Sequence, residues 1–72
     1  MIISDTVCIS LIERLSEEYI LSYNKYKKLL TVREYEGRGR LYMANGINLN
    51  HCVHNLIAKY DNIAEKVNYR CI

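Results

Sequence analysis

The chain has no proline, tryptophan, phenylalanine or glutamine, and only three glycines, Gly37, Gly39 and Gly46. All three glycines fall in one stretch, EYEGRGRLYMANG over 34–46, so the strong turn signals sit there and nowhere else. The cysteines, Cys8, Cys52 and Cys71, are odd in number and irregularly spaced. That argues against a disulfide scaffold and for a reducing compartment, which makes the cytoplasm the expected location. No apolar run approaches the roughly 18 residues of a membrane span, so no membrane partner is expected. The first residues, MIISDTVCISL, carry no basic region and meet Asp5 early, unlike a secretory leader. There is no nucleophile elbow, phosphate loop, dinucleotide fingerprint or paired-histidine zinc motif. The expectation is a non-enzymatic protein without a cofactor.

What remains is one small domain, 1–72. A chain this short buries only about 60% of the surface that its unfolded form exposes, so it gains from a staple, a metal or a partner. All seven aromatics are tyrosine. The frequent Ile, Asn, Lys and Tyr fit an AT-rich coding sequence, of the kind common in phages and mobile elements. The net charge of +2 is unevenly spread. Residues 1–24 set Asp5, Glu13, Glu17 and Glu18 against Arg14. Residues 25–40 set six bases, Lys25, Lys27, Lys28, Arg33, Arg38 and Arg40, against Glu34 and Glu36.

At about 100° per residue, Cys8, Ile12, Leu15, Tyr19, Tyr23, Tyr26 and Leu30 share one helical face. Ser4 or Asp5 supplies a cap, and the lysines at 25, 27 and 28 suit a negative helix end. The stripe fails beyond Leu30, so this spacing predicts a helix over about 5–30. Residues 30–36 and 40–44 read as two short strands turning at the Gly-Arg-Gly run, with Asn45-Gly46 as a second turn. Leu49, Cys52, Val53, Leu56, Ile57, Tyr60, Ile63, Ala64 and Val67 predict a second helix over about 48–68, capped by Asn48 or Asn50. The expected fold is therefore mainly α. Two long antiparallel amphipathic helices flank a Gly/Arg segment that forms a short β-hairpin (α-β-β-α). An all-α helical hairpin is the alternative. Two helices cover each other only partly, leaving Ile9, Ile20 and Leu21 wet, which points to self-association with a four-helix core.

Of the reactive side chains, His51 and His54 project to solvent while Cys52 points to the apolar edge. The three do not converge on one ion, and no metal is expected. Cys8 and Cys71 lie at helix ends that meet in a hairpin, which allows a bridge, although a buried free Cys8 is the simpler reading. Glu13, Glu17 and Glu18 form a solvated acidic face without a pocket, so no catalytic residue is assigned.

Tyrosine combines a large ring with a wet hydroxyl, which suits interfaces. The expected function is a small interaction protein that self-associates, as a homodimer or higher oligomer, and binds a larger protein to modulate or inhibit it. Its expected partner surface is Tyr19, Tyr23, Tyr26, Arg33, Tyr35, Arg38, Arg40 and Tyr42. The alternative is a nucleic-acid-binding regulator in which Lys25, Lys27, Lys28, Arg33, Arg38 and Arg40 neutralise phosphates, with Tyr35 and Tyr42 stacking on bases. Glu34 and Glu36 lower the potential of that segment. The link between the two expected helices runs to about seventeen residues where two to eight suffice, a sign that it makes contacts of its own.

Overall fold

The structure is a computed structural model that describes residues 3–35 and 39–70. Its elements run α1 (Asp5–Ser16), β1 (Tyr19–Asn24), β2 (Leu29–Glu34), β3 (Leu41–Asn45), α2 (Leu49–Lys59) and α3 (Asp61–Val67). The strands form an antiparallel sheet in the order β1-β2-β3, with the helices packed on one face. This is a mixed α+β fold. The mainly α reading, in both its long-helix and helical-hairpin forms, is overturned by a three-stranded sheet.

The expected 5–30 helix ends at Ser16. Its start is as the cap predicts: the Ser4 hydroxyl accepts from the Val7 amide at 3.2 Å. Cys8, Leu11 and Leu15 then bury one face. The amides of Glu17 and Glu18 bond back only three residues, to Arg14 and Leu15, and the helix tightens and stops. From Tyr19 the burial alternates: Tyr19, Leu21 and Tyr23 turn inward, and Ile20, Ser22 and Asn24 turn outward. Tyr19 and Tyr23 fit a helical stripe and a strand face equally well. Leu21 fits only the strand, and Tyr and Ile gain from packing on a pleated surface.

The lysines read as a helix end are instead turn residues. Asn24 Oδ1 accepts from the amides of Tyr26 and Lys27 at 3.0 Å each, a side-chain turn that needs neither glycine nor proline. Lys28 closes it in the left-handed region at φ 52°. The strands expected at 30–36 and 40–44 lie at 29–34 and 41–45 and pair antiparallel, with Leu30 opposite Ala44 and Val32 opposite Tyr42. They are two strands of three rather than a lone hairpin.

The expected 48–68 helix is two helices. Asn48 caps α2, its side chain accepting from the His51 amide at 2.9 Å. At Tyr60 the backbone becomes extended, with φ −120° and ψ 106°, and its carbonyl starts α3 by accepting from Ile63 and Ala64. Asn68, left-handed at φ 52°, ends α3.

Gly46 joins the sheet to α2. A Cβ there would lie 2.7 Å from the Cys52 amide nitrogen and 2.8 Å from the His51 carbonyl carbon, so the turn needs glycine for space. The core gathers Leu11 and Leu15 of α1, Leu30, Val32 and Tyr42 of the sheet, Val53, Leu56 and Ile57 of α2, and Ile63 and Val67 of α3. Two polar ties lock the helices together. Arg14 Nη1 donates to the Val67 carbonyl at 2.6 Å, and Asn50 Nδ2 donates to the Ile3 carbonyl at 2.6 Å. Among the described residues, no helix is long and apolar enough to cross a membrane.

Candidate functional site

Side chains alternate across a strand, so the strand register defines both sheet faces. Leu21, Val32 and Tyr42 lie side by side beneath the helices, as do Tyr23, Leu30 and Ala44. The opposite face carries the rows Ile20–Arg33–Leu41 and Ser22–Thr31–Met43. Ile20, Leu41 and Met43 are 40%, 52% and 41% exposed, and Arg33 stands between the first two on the central strand. No helix packs over this face among the described residues.

The two edges of the sheet differ. In an antiparallel ladder, alternate residues turn their N–H and C=O to one neighbour or the other. On the β3 edge, the outward groups of Met43 are taken. Its amide donates to the Tyr60 hydroxyl at 3.4 Å, and its carbonyl accepts from that hydroxyl at 3.4 Å and from Lys59 Nζ at 3.2 Å. The Asn45 carbonyl accepts from Asn55 Nδ2 at 2.7 Å. The Met43 amide, with the Lys59 ammonium alongside, holds the Tyr60 phenol below its ordinary pKa.

Among the described residues, the β1 edge is bare. The Gly46 amide bonds to the Lys28 carbonyl, so even-numbered residues of β2 face β3 and odd-numbered ones face β1. Their partners Asn24, Ser22 and Ile20 therefore face β2, which leaves the backbone groups of Tyr19, Leu21 and Tyr23 directed outward. Among the described residues, none bonds to these outward groups.

The residues expected at a partner surface separate into groups. Tyr19 and Tyr42 are core, 6% and 2% exposed, and meet edge-to-face at 6.2 Å between centroids. Their rings are not available to a partner. Burial pushes the Tyr19 phenol above its usual pKa. Tyr23 is half-buried against the same core. Tyr26 is 88% exposed in the β1–β2 turn, with Lys25 Nζ 5.7 Å from its ring centre. Tyr35 is exposed and donates its hydroxyl to the Ser16 carbonyl at 3.0 Å. Arg40 lies over the Tyr42 ring at 5.4 Å, and Arg33 stands on the open face. Arg38 lies outside the described residues. Ile20, Leu41 and Met43 lie outside the partner surface that the sequence predicts. Ile20 had only the signal of an apolar residue left off the helical stripe.

The bases assigned to a nucleic-acid surface do not form one patch. Lys25, Lys27 and Lys28 occupy the turn before β2, whereas Arg33 lies five residues beyond Lys28 along that strand, about 17 Å away. Arg40 precedes β3, at the same end as Arg33.

Two hollows are shallow and open. One is lined by Glu18, Tyr19, Glu34, Tyr35 and Lys66, the other by Ala64, Glu65, Asn68, Tyr69 and Arg70. In the first, Lys66 Nζ sits 3.2 Å from Glu18 Oε1, and this contact raises the lysine pKa. Both side chains are half exposed, so the pair is a solvated surface contact.

His51 Nδ1 accepts from the Ile47 amide at 3.1 Å, and Cys52 is buried. Among the described residues, no three His, Cys, Asp or Glu side chains gather as a metal site. Cys8 and Cys52 are free buried thiols whose pKa values burial raises. Cys71, and with it any Cys8–Cys71 bridge, lies outside the described residues. Comparison with protein-family models, with curated proteins and with solved structures finds no match.

Proposed function

We propose that this chain is a small non-enzymatic interaction protein of the cytoplasm that self-associates and binds a larger protein, modulating or inhibiting it through the open sheet face. One observation carries the reading: Ile20, Leu41 and Met43 are exposed around Arg33 on a face that no described element covers. Arg and Met are enriched at interface centres, where an apolar core lies inside a polar rim. Here Ser22 and Thr31 stand beside the apolar groups on the same face. A rigid sheet presents such a surface at little ordering cost on binding.

The test is a variant pair. The charged double variant Leu41→Glu/Met43→Glu is compared with wild type in affinity capture from a cytoplasmic extract, with Ile9→Glu on exposed α1 as the control. A partner captured by wild type and control but lost by the double variant, all three giving the same circular dichroism, supports the reading. Addition of purified wild type to that partner then has to change its activity. A partner retained equally by the double variant refutes the assigned face.

A second reading has an observation of its own. The β1–β2 turn presents Lys25, Lys27 and Lys28 beside the exposed Tyr26 ring, a combination suited to gripping a phosphate chain and stacking one base. Labelled single-stranded DNA and RNA titrated at two salt concentrations test it. Affinity unaffected by Tyr26→Ala and by Lys27→Ala/Lys28→Ala removes this reading.

A further inference from the structure

We infer that two copies of this chain pair through β1, antiparallel about a twofold axis at Leu21, into a continuous six-stranded sheet. The inference rests on the self-association in the proposed function and specifies how it is achieved.

Edge strands that stay single are protected by charge, proline, a bulge or a covering side chain. The β3 edge has such cover in Tyr60, Lys59 and Asn55. The β1 sequence, YILSYN, has no charged residue, proline or glycine between its ends. Its outward N–H and C=O groups at Tyr19, Leu21 and Tyr23 are unpaired among the described residues. The same structure therefore covers the β3 edge at Met43 and at the Asn45 carbonyl and leaves the β1 edge ready for a strand.

The occupant follows from charge. An antiparallel pair centred on Leu21 sets Leu21 against its own copy and Tyr19 against Tyr23. It also brings Glu17, the α1 cap two residues before the strand, to the same end of the pair as Lys25, in the turn just after it. By symmetry this Glu–Lys contact forms twice. A parallel pairing brings lysine to lysine and glutamate to glutamate, which is repulsive. Glu17 and Lys25 are both exposed, and no salt bridge to either is formed within the described chain. The centred register makes each outward residue part of a hydrogen-bonded pair, about six backbone bonds in all. It also covers Leu21 and Tyr23, which the single chain leaves half-buried.

The test uses the full chain in sedimentation equilibrium with amide hydrogen exchange. Wild type is expected at about twice the mass of one chain, with the Leu21 and Tyr23 amides protected in the dimer and losing that protection on dilution. Leu21→Pro removes one outward amide and is expected to be monomeric. Glu17→Lys and Lys25→Glu are each expected to weaken dimerisation about tenfold, since two attractive contacts become repulsive. The double swap Glu17→Lys/Lys25→Glu restores it, which controls for misfolding. A strict monomer at high concentration overturns both this pairing and self-association. A dimer whose Leu21 and Tyr23 amides exchange freely, or a double swap that restores nothing, overturns the β1 pairing and leaves self-association standing.

Discussion

Gly46→Ala is the sharpest probe of how the sheet meets α2. No glycine with a described backbone has positive φ, so alanine meets no dihedral objection at this position. The objection is space. The new methyl would stand 2.7 Å from the Cys52 amide nitrogen, 2.8 Å from the His51 carbonyl carbon and 3.0 Å from the His51 Cβ. Two of these atoms are backbone of the first turns of α2, so no side-chain rotation relieves them. The helix start has to move away from β3. Overpacking of this kind costs about 1–3 kcal/mol. The same movement strains the Gly46–Lys28 backbone bond at 3.2 Å and the Ile47–His51 bond at 3.1 Å, and loss of one costs about 1 kcal/mol more. Reduced freedom of the unfolded chain returns about 0.4–1 kcal/mol. The net is a loss of roughly 2 kcal/mol, which lowers the melting temperature of a domain this size by about 8–16 °C. Urea unfolding followed by circular dichroism measures it, with a lower midpoint and an unchanged slope expected. A loss under about 0.5 kcal/mol would falsify the steric account, because a surface turn far from such contacts changes stability by no more than that.

Lys28→Gly should stabilise the chain by up to about 1 kcal/mol in the same assay, because φ 52° suits glycine and costs an L side chain about 1–2 kcal/mol before the entropy of glycine is subtracted. A destabilised variant would show that the lysine side chain contributes more than its backbone loses. His54 should make stability fall on acidification. Burial, with His51 beside it, lowers its pKa, so the fold prefers the neutral ring and the unfolded chain takes up the proton first. Its contribution is complete above about pH 6.5 and is lost as the pH drops through the folded value. Urea midpoints at pH 7.5 and pH 5 check this, and His54→Gln should reduce the difference. Cys8 and Cys52 are buried with raised pKa values and should alkylate only when the fold opens. Peptide mapping after brief iodoacetamide treatment in buffer and in urea shows this, and rapid native labelling of Cys52 would contradict the packing.

The limits of reading this chain from its sequence have definite causes. Tyr19 and Tyr23 are four apart, a spacing that a helix and a strand both place on one face. Leu21, read as an apolar residue left wet, was the residue that told them apart. The β1–β2 turn carries no glycine or proline because Asn24 makes the turn with its side chain and Lys28 accepts the left-handed backbone. The break at Tyr60 is invisible to periodicity, since Leu56 and Ile57 before it and Ile63 and Ala64 after it all reach the core. The caps at Ser4 and Asn48 were legible because capping is a local act of one side chain on one amide. The candidate surface was less so. Tyr19 faces inward in either reading, whereas alternation along the strands turns Tyr42 inward and Ile20, Leu41 and Met43 outward. Each exchange follows from period two.

In the β1-paired assembly proposed above, the single hydroxyl of Tyr60 would also limit valence. Because it and Lys59 occupy the free groups of Met43, the middle of the β3 edge is blocked where that of β1 is open among the described residues. In that pairing, units of that kind would join once and stop. With both edges open, the same pairing would extend without limit, so the small interruption between α2 and α3 would act as a chain terminator for the sheet.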